Sequence, residues 1–166
     1  ADYLKENSLI RSQSRLQLSL LKKEKDQLSH HLRNEGYYYF SPDAVGIRLN
    51  DVKDSTLQRI SLYYKIPEFK NHLSIANYDR LYRIGLPEFS ISDPYGNPVV
   101  HPPLKGLSKL INLKEDDLYS VDLFNQSLKN IYLTDQFKTV SIRFDTTRTR
   151  LFPKIELFQN EKYNFS

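Results

Sequence analysis

The stretch LRNEGYYYF, residues 32–40, decides how the fold is interpreted. Gly36 follows a helical pattern, and glycine commonly ends a helix because it accepts a positive φ without a Cβ clash. The tyrosines and the phenylalanine after it could form a base-stacking platform, an adhesive patch or the start of a buried strand. Large aromatic side chains at a helix-to-strand connection most often close a core. We therefore expect Tyr37, Tyr38 and Tyr39 to plug the seam between helix and sheet.

A helix is predicted before this stretch. Leu21, Leu28 and Leu32 lie seven and four residues apart, which places them on one helical face. Ser19 precedes them, and a serine hydroxyl can accept a hydrogen bond from a free N–H of the first turn. The pattern predicts a helix over about 20–34 with Ser19 as its N-cap.

Two strands are predicted after the tyrosines. Val45, Ile47 and Leu49 alternate with other residues, as in a half-buried strand. The polar segment 50–56 predicts a hairpin loop, and a second alternating run follows over 57–64. The first unit is therefore helix, strand, turn, strand.

From Leu81 the same order recurs with an additional opening strand. The later strand of this unit carries the alternating residues Val140, Ile142 and Phe144. The predicted elements are, in chain order, a strand in LYRIGLPEFSI (81–91), a short helix in LKGLSKLI (104–111), a longer helix capped by Ser120, and strands over KTVSIRFD (138–145) and LFPKIELFQ (151–159). The two units together indicate a repeat of the order βααββ.

The composition limits the class of protein. A chain of 166 residues with 39% hydrophobic and 27% charged residues fits one ordinary or two small globular domains. No apolar run approaches the ~20 residues of a membrane-spanning helix. Cysteine is absent, which excludes disulfides, thiolate metal sites and a cysteine nucleophile. The chain begins with Ala1 and contains no methionine, so we expect a processed chain or part of a longer protein.

The sequence contains no pattern typical of catalysis or metal binding. His30 and His31 point about 100° apart on a helix, so they cannot share a metal as residues four apart can. Glu115, Asp116 and Asp117 precede the second long helix, whose dipole favours negative charge there. A phosphate-binding glycine loop, a G-x-S-x-G turn and an H-E-x-x-H helix are all missing. We predict that the chain is not an enzyme and has no catalytic residues, cofactor or metal.

The two units resemble polypeptide-transport-associated (POTRA) modules. In the first unit the resemblance lies in HLRNEGYYYF (31–40), the alternating strand, the polar hairpin and the final strand. In the second it lies in DDLYSVDLFNQSLKNIYLTDQFKTVSIRF (116–144). The sequences HLRNEGYYYF (31–40) and IELFQNEKYNFS (155–166) are similar to sequences of the BamA/TamA superfamily, especially those of the TamL-like proteins of Bacteroidetes. Acidic residues stand where the pattern has a glycine before DLYS, and the chain holds neither a barrel nor a lipidated cysteine.

The resemblance implies an α+β fold of two tandem βααββ modules. Each module would be a small mixed three-stranded sheet with two helices on one face, the first lacking its opening strand in this chain. The implied organisation is a module over 1–67, a linker over 68–80 and a second module over 81–166 that leads towards a β-barrel.

The resemblance also implies a function in outer-membrane protein assembly or translocation, at the periplasmic face of the bacterial outer membrane. The implied partners are polypeptide clients and periplasmic or inner-membrane assembly partners, with the outer membrane reached through a barrel beyond this chain. No nucleic acid and no small-molecule substrate are expected. Binding would occur by strand addition to an open sheet edge. The candidate edge strands carry the residues Val45, Ile47, Leu49, Val140, Ile142 and Phe144.

Two other functions remain open at this point. A nucleic-acid-binding αβ module would place its net charge of +4 on one face and would lose binding steeply with salt. A structural spacer subunit of a larger membrane complex would contact a fixed neighbour and bind no clients.

Overall fold

The computed structural model describes residues 2–10, 17–50, 59–62, 79–100 and 104–161. The chain separates into two compact units. The first unit comprises residues 1–33 and 39–80, and the second comprises residues 34–38 and 81–166. Most of the predicted linker 68–80 lies outside the described residues, so the domain boundaries remain a prediction.

The described residues of the first unit form two helices and a strand pair. Helix α1 spans Asp2–Asn7 and α2 spans Leu18–Asn34. A single 3-10 turn, Pro42–Ala44, leads to β1, Ile47–Asn50, which pairs antiparallel with β2, Arg59–Leu62. Strand β1 begins two residues later than the alternation predicts.

Helix α2 also begins earlier than predicted. The carbonyl of Gln17 accepts from the N–H groups of Leu20 and Leu21, so Ser19 lies inside the first turn and the prediction of Ser19 as N-cap is wrong. The helix holds α1 through side chains: the ring of His31 stacks on Tyr3 at 3.6 Å, and Gln27 Nε2 donates to the Tyr3 hydroxyl. His31 therefore has a packing role.

The second unit is built on a sheet with β6, Arg150–Gln159, at its centre. Strand β5, Phe137–Thr146, pairs antiparallel with one side of β6. Strands β3, Arg83–Ile84, and β4, Glu88–Ser92, follow each other along the other side, both parallel to β6. The single strand predicted over 81–91 is thus two short strands.

The interruption between β3 and β4 has a cause in β6. Leu151 pairs with β3 and Lys154 pairs with β4, and Pro153 lies between them. Proline has no N–H to donate, so a central strand tolerates it best where the neighbouring strand is broken. At the break, Gly85 lies against the ring of Phe152 and leaves no room for a Cβ.

Two helices accompany this sheet. Helix α3 spans Leu104–Ser108 and α4 spans Val121–Tyr132. The hydroxyl of Ser120 accepts from Leu123 N at 3.3 Å, which confirms Ser120 as the N-cap. The most deeply buried large side chains of this core are Tyr82, Ile84, Tyr119, Ile131, Leu151, Ile155 and Leu157.

The segment 34–38 belongs to the second unit, although it begins with the last residue of α2. Gly36 has a φ of +102°, and its carbonyl accepts from Tyr82 N at 2.9 Å. Asn34 Oδ1 accepts from Ser120 Oγ at 2.8 Å and from Asp122 N at 3.0 Å. Within the second unit, Asn34 therefore accepts hydrogen bonds from the residues at the start of α4.

The aromatic residues after Gly36 divide between the two units. The ring of Tyr38 meets Tyr119 edge-on at 4.9 Å and Phe144 at 5.5 Å. Both partners lie in the second unit, whereas Tyr39 is part of the first. Tyr38 closes a core, but it is the core of the second unit rather than the seam beside its own helix.

Candidate functional site

The two edges of the sheet in the second unit differ in how their backbone N–H and C=O groups are paired. Along β3, Ile84 N donates to Asp117 O at 2.9 Å, and Asp116 N donates to Ile84 O at 2.9 Å. Along β4, Val99 N donates to Ile91 O at 2.8 Å, and Ser92 forms a bridge with Pro98. Short segments of the chain therefore pair with this edge of the sheet and cover it.

The opposite edge of the sheet is formed by β5, which is ten residues long. Within the described part of the chain, β5 pairs only with β6. Its start is irregular, because the register shifts between Phe137 and Thr139, and it then runs evenly from Thr139 to Thr146. A continuous strand edge of this kind can template pairing with another chain.

The hairpin turn fixes which backbone groups of β5 face outward. Thr147 N donates to Arg150 O at 2.9 Å, so these two residues form a hydrogen-bonded pair. Antiparallel pairs alternate between hydrogen-bonded and non-hydrogen-bonded positions, and the register is unbroken back to Val140. Consequently the N–H and C=O groups of Val140, Ile142 and Phe144 point away from β6, towards the open edge.

The side chains of the same three residues face the core. Val140 is buried, and Ile142 and Phe144 are half-buried. The ring of Phe144 lies 5.8 Å from Tyr119 and 5.7 Å from Phe124. The edge therefore offers its backbone for contact, while these side chains hold the strand in place.

Helix α4 borders this edge along one stripe. Phe124, Leu128 and Tyr132 are spaced four apart and share a helical face. Phe124 contacts Phe144, and the Tyr132 hydroxyl donates to the Val140 carbonyl at 3.4 Å, so α4 runs antiparallel to β5. The stripe is about 12 Å long, and Val140 to Phe144 spans about 14 Å, so helix and strand edge match in length.

The other face of the sheet carries charges of both signs beside the edge. Arg143 pairs with Glu156 at 3.6 Å, and Lys154 pairs with Asp145 at 2.7 Å. The side-chain hydrogen bond to Asp145, and then its negative charge, raise the pKa of the Lys154 ammonium. These two ion pairs mix both signs, unlike the row of basic residues that nucleic-acid binding favours.

The candidate residues of the first unit are placed less uniformly. Val45 follows the 3-10 turn, precedes β1 and is only 3% exposed. Ile47 and Leu49 lie in β1, opposite Leu62 and Ile60. Among the described residues β1 pairs with β2 alone, so it is a second, shorter candidate edge.

Asp116, one of the acidic residues before α4, is held by two arginine side chains. The Asp116 carboxylate accepts from Arg150 at 2.6 Å, and its carbonyl accepts from Arg83 at 2.6 Å. Asp116 has a φ of +66°, so it anchors a turn, while Asp122 is the acidic residue in the first turn of α4.

Neither a metal centre nor a membrane helix is found where the structure is described. In those ranges no three His, Asp or Glu side chains come together as metal ligands could. In the same ranges every helix is too short or too polar to traverse a lipid bilayer.

The sequence pattern predicts β5, but it does not predict the contact of Tyr132 or the covering of the opposite edge. The spacing of Phe124, Leu128 and Tyr132 is a visible signal for the stripe. The segments that pair with β3 and β4 carry no periodicity, because single bridges need no alternating pattern.

Comparisons with known proteins identify the fold. No family model matches the sequence, and no curated protein matches it. The structure of BamA from Haemophilus ducreyi lacking POTRA domains 1–3 aligns with 92% of this chain, with a TM-score of 0.65 and 13% identity. The POTRA3–5 structure of Haemophilus influenzae BamA aligns with 95% of it, with a TM-score of 0.55 and 13% identity.

These alignments cover 25% and 54% of the two BamA chains, so this chain spans a quarter to about half of their length. The neighbours confirm the predicted α+β fold of POTRA type.

Proposed function

We propose that this chain is the periplasmic POTRA arm of an outer-membrane protein assembly or translocation factor of the BamA/TamA superfamily, of the TamL-like kind. In this proposal the modules are 1–67 and 81–166, joined by a linker over 68–80. The arm binds client or partner polypeptides by adding their strands to its sheet edges, chiefly to β5, and it catalyses no reaction.

The observation that carries the proposal is the contrast between the two sides of the second sheet. One side is covered by the segments around Pro98 and Asp117, whereas β5 presents outward backbone groups at Val140, Ile142 and Phe144. Natural sheets usually protect such an edge, so a long regular one that remains open favours a binding role. An added strand would gain backbone hydrogen bonds with little demand on its sequence.

The surroundings of β5 indicate what kind of strand fits. Alternate side chains of an added strand would lie beside the apolar stripe of Phe124, Leu128 and Tyr132. The intervening side chains would lie on the other face, near Arg143 and Asp145, which carry opposite charges. An amphipathic strand with one apolar and one polar face therefore fits best.

A pair of proline variants tests the proposal. In Ile142→Pro the lost N–H points to the open edge, so the pairing of β5 with β6 is kept. In the matched variant Arg143→Pro the lost N–H belongs to the hydrogen-bonded ladder, so the unit is destabilised by about 1–3 kcal/mol or more. Ile142→Ala controls for the side chain.

The probe is a synthetic peptide of about eight residues with alternating valine and threonine and a terminal lysine, with its N-methylated form as a blank. Loss of one backbone hydrogen bond of about 0.5–1.5 kcal/mol weakens binding roughly 2- to 12-fold in Ile142→Pro relative to Ile142→Ala. Equal affinities for these two variants would refute strand addition at β5. The absence of peptide binding by any variant would favour the spacer function.

A further inference from the structure

We propose that Tyr132 is a gate on the β5 edge, which weakens the binding of an added strand that extends as far as Val140. The inference rests on the proposed function, because it concerns which part of the edge a bound strand can occupy.

The backbone carbonyl of Val140 is part of the open edge of β5. Val140 lies opposite Leu157 at a non-hydrogen-bonded position of the β5–β6 pair, so its C=O points out of the sheet. The Tyr132 hydroxyl donates to this same oxygen. It therefore occupies the position that the N–H of an added strand would take.

The contact between the Tyr132 hydroxyl and the Val140 carbonyl can be displaced. The oxygen–oxygen distance of 3.4 Å is long for a hydrogen bond between oxygens, so the bond is weak. The Tyr132 side chain is at the end of α4 and is 50% exposed, so it is not held by burial on all sides. An added strand can replace the hydroxyl at a modest energetic cost.

The contact between Tyr132 and Val140 lies near one end of the regular part of β5. Val140 is the first outward-facing residue of the even register, which begins at Thr139 after the irregularity between Phe137 and Thr139. Ile142 and Phe144 lie beyond the reach of this hydroxyl bond. A strand that pairs with these two residues binds without disturbing Tyr132, while a longer strand that reaches Val140 must displace it.

The test compares the full chain with Tyr132→Phe, which keeps the ring and removes the hydroxyl. The matched control is Tyr95→Phe, the same change at a tyrosine that is 81% exposed on the loop after β4. The probes are alternating valine–threonine peptides of increasing length, from about four to about nine residues, each paired with an N-methylated blank. Thermal unfolding checks that both variants keep the stability of the parent.

In Tyr132→Phe we expect the long peptides to bind about two- to fivefold more tightly and the short peptides to bind as they do to the parent. Tyr95→Phe leaves both unchanged. If Tyr132→Phe binds every length as the parent does, or more weakly, the gate is refuted while edge binding stands. If no peptide binds the parent or either variant, the proposed function itself is refuted, and the gate with it.

Discussion

Replacing Tyr38 by alanine should destabilise the second unit, although more than forty residues separate Tyr38 from the main part of that unit, which begins at Leu81. The ring contacts Tyr82, Tyr119 and Phe144 at centroid distances of 6.1, 4.9 and 5.5 Å. The residue lies in the part of the chain that clusters with residues 81–166. The variant therefore tests whether the tyrosine stretch is a structural part of the second unit.

The size of the effect follows from burial and ring contacts. A half-buried tyrosine hides roughly 100 Å² of apolar surface, worth about 2.5 kcal/mol at about 25 cal/mol per Å². Three aromatic contacts at about 0.5 kcal/mol each raise the total to about 4 kcal/mol. This figure is within the range of about 3–5 kcal/mol measured for replacing large aromatic residues by alanine. For a unit of this size the melting temperature should fall by at least about 16 °C.

The assay is urea unfolding followed by residue-specific amide signals. Amides of β5 and β6 should lose protection in Tyr38→Ala at a lower urea concentration, whereas amides of α1 and α2 should change little. Tyr95→Ala is the control, since that side chain is 81% exposed and its removal should cost less than about 0.5 kcal/mol. The reasoning is refuted if the loss falls on α1 and α2, or if Tyr38→Ala and Tyr95→Ala behave alike.

Three further variants probe the elements around the site. Gly36→Ala places a Cβ at a φ of +102°, within 3.3 Å of the side chains of Leu118 and Leu81, and should lower the free energy of unfolding by about 1–2 kcal/mol, as chemical denaturation would show. Ser120→Ala removes the N-cap of α4 and a donor to Asn34, so a loss of about 1 kcal/mol is expected by the same measurement, while a neutral result would exclude the capping role. Lys154→Gln should reduce stability at neutral pH, and the difference from the parent should disappear in alkali. The pKa of Lys154 is raised by Asp145, so its contribution is fully present below the ordinary lysine pKa of 10.5 and is lost as the pH rises through the folded value. Thermal unfolding measured from pH 8 upwards would check this, and a difference that grows with pH would contradict it.

Much of the second unit can be predicted from its sequence, because its elements have strong periodic patterns. The alternation of Val140, Ile142 and Phe144 predicts both a strand and the shared side of these residues. The serine before Val121 predicts the start of α4. These features depend on neighbours within a few residues, which local patterns record.

Features that depend on distant partners could not be predicted in this way. Tyr38 packs into a core that is formed by residues after Leu81. The sequence of residues 32–40 alone indicates that its aromatic side chains close a core, but it does not indicate which core. The start of α2 at Leu18 is not predicted by the pattern, since Ser19 resembles a cap while the carbonyl of Gln17 accepts the first hydrogen bonds. The covering of β3 and β4 depends on single bridges from irregular segments, which leave no pattern in the sequence.

The most direct test of strand addition is to map the peptide on the folded chain by isotope-edited NMR. On binding of the alternating valine–threonine peptide, the amide protons of Ile142 and Phe144 should shift and become protected from exchange. Those of Ser141 and Arg143, which already bond to β6, should retain their protection. Protection that appears instead along β4 or α2, or equally on both sets of β5 amides, would contradict binding at the β5 edge.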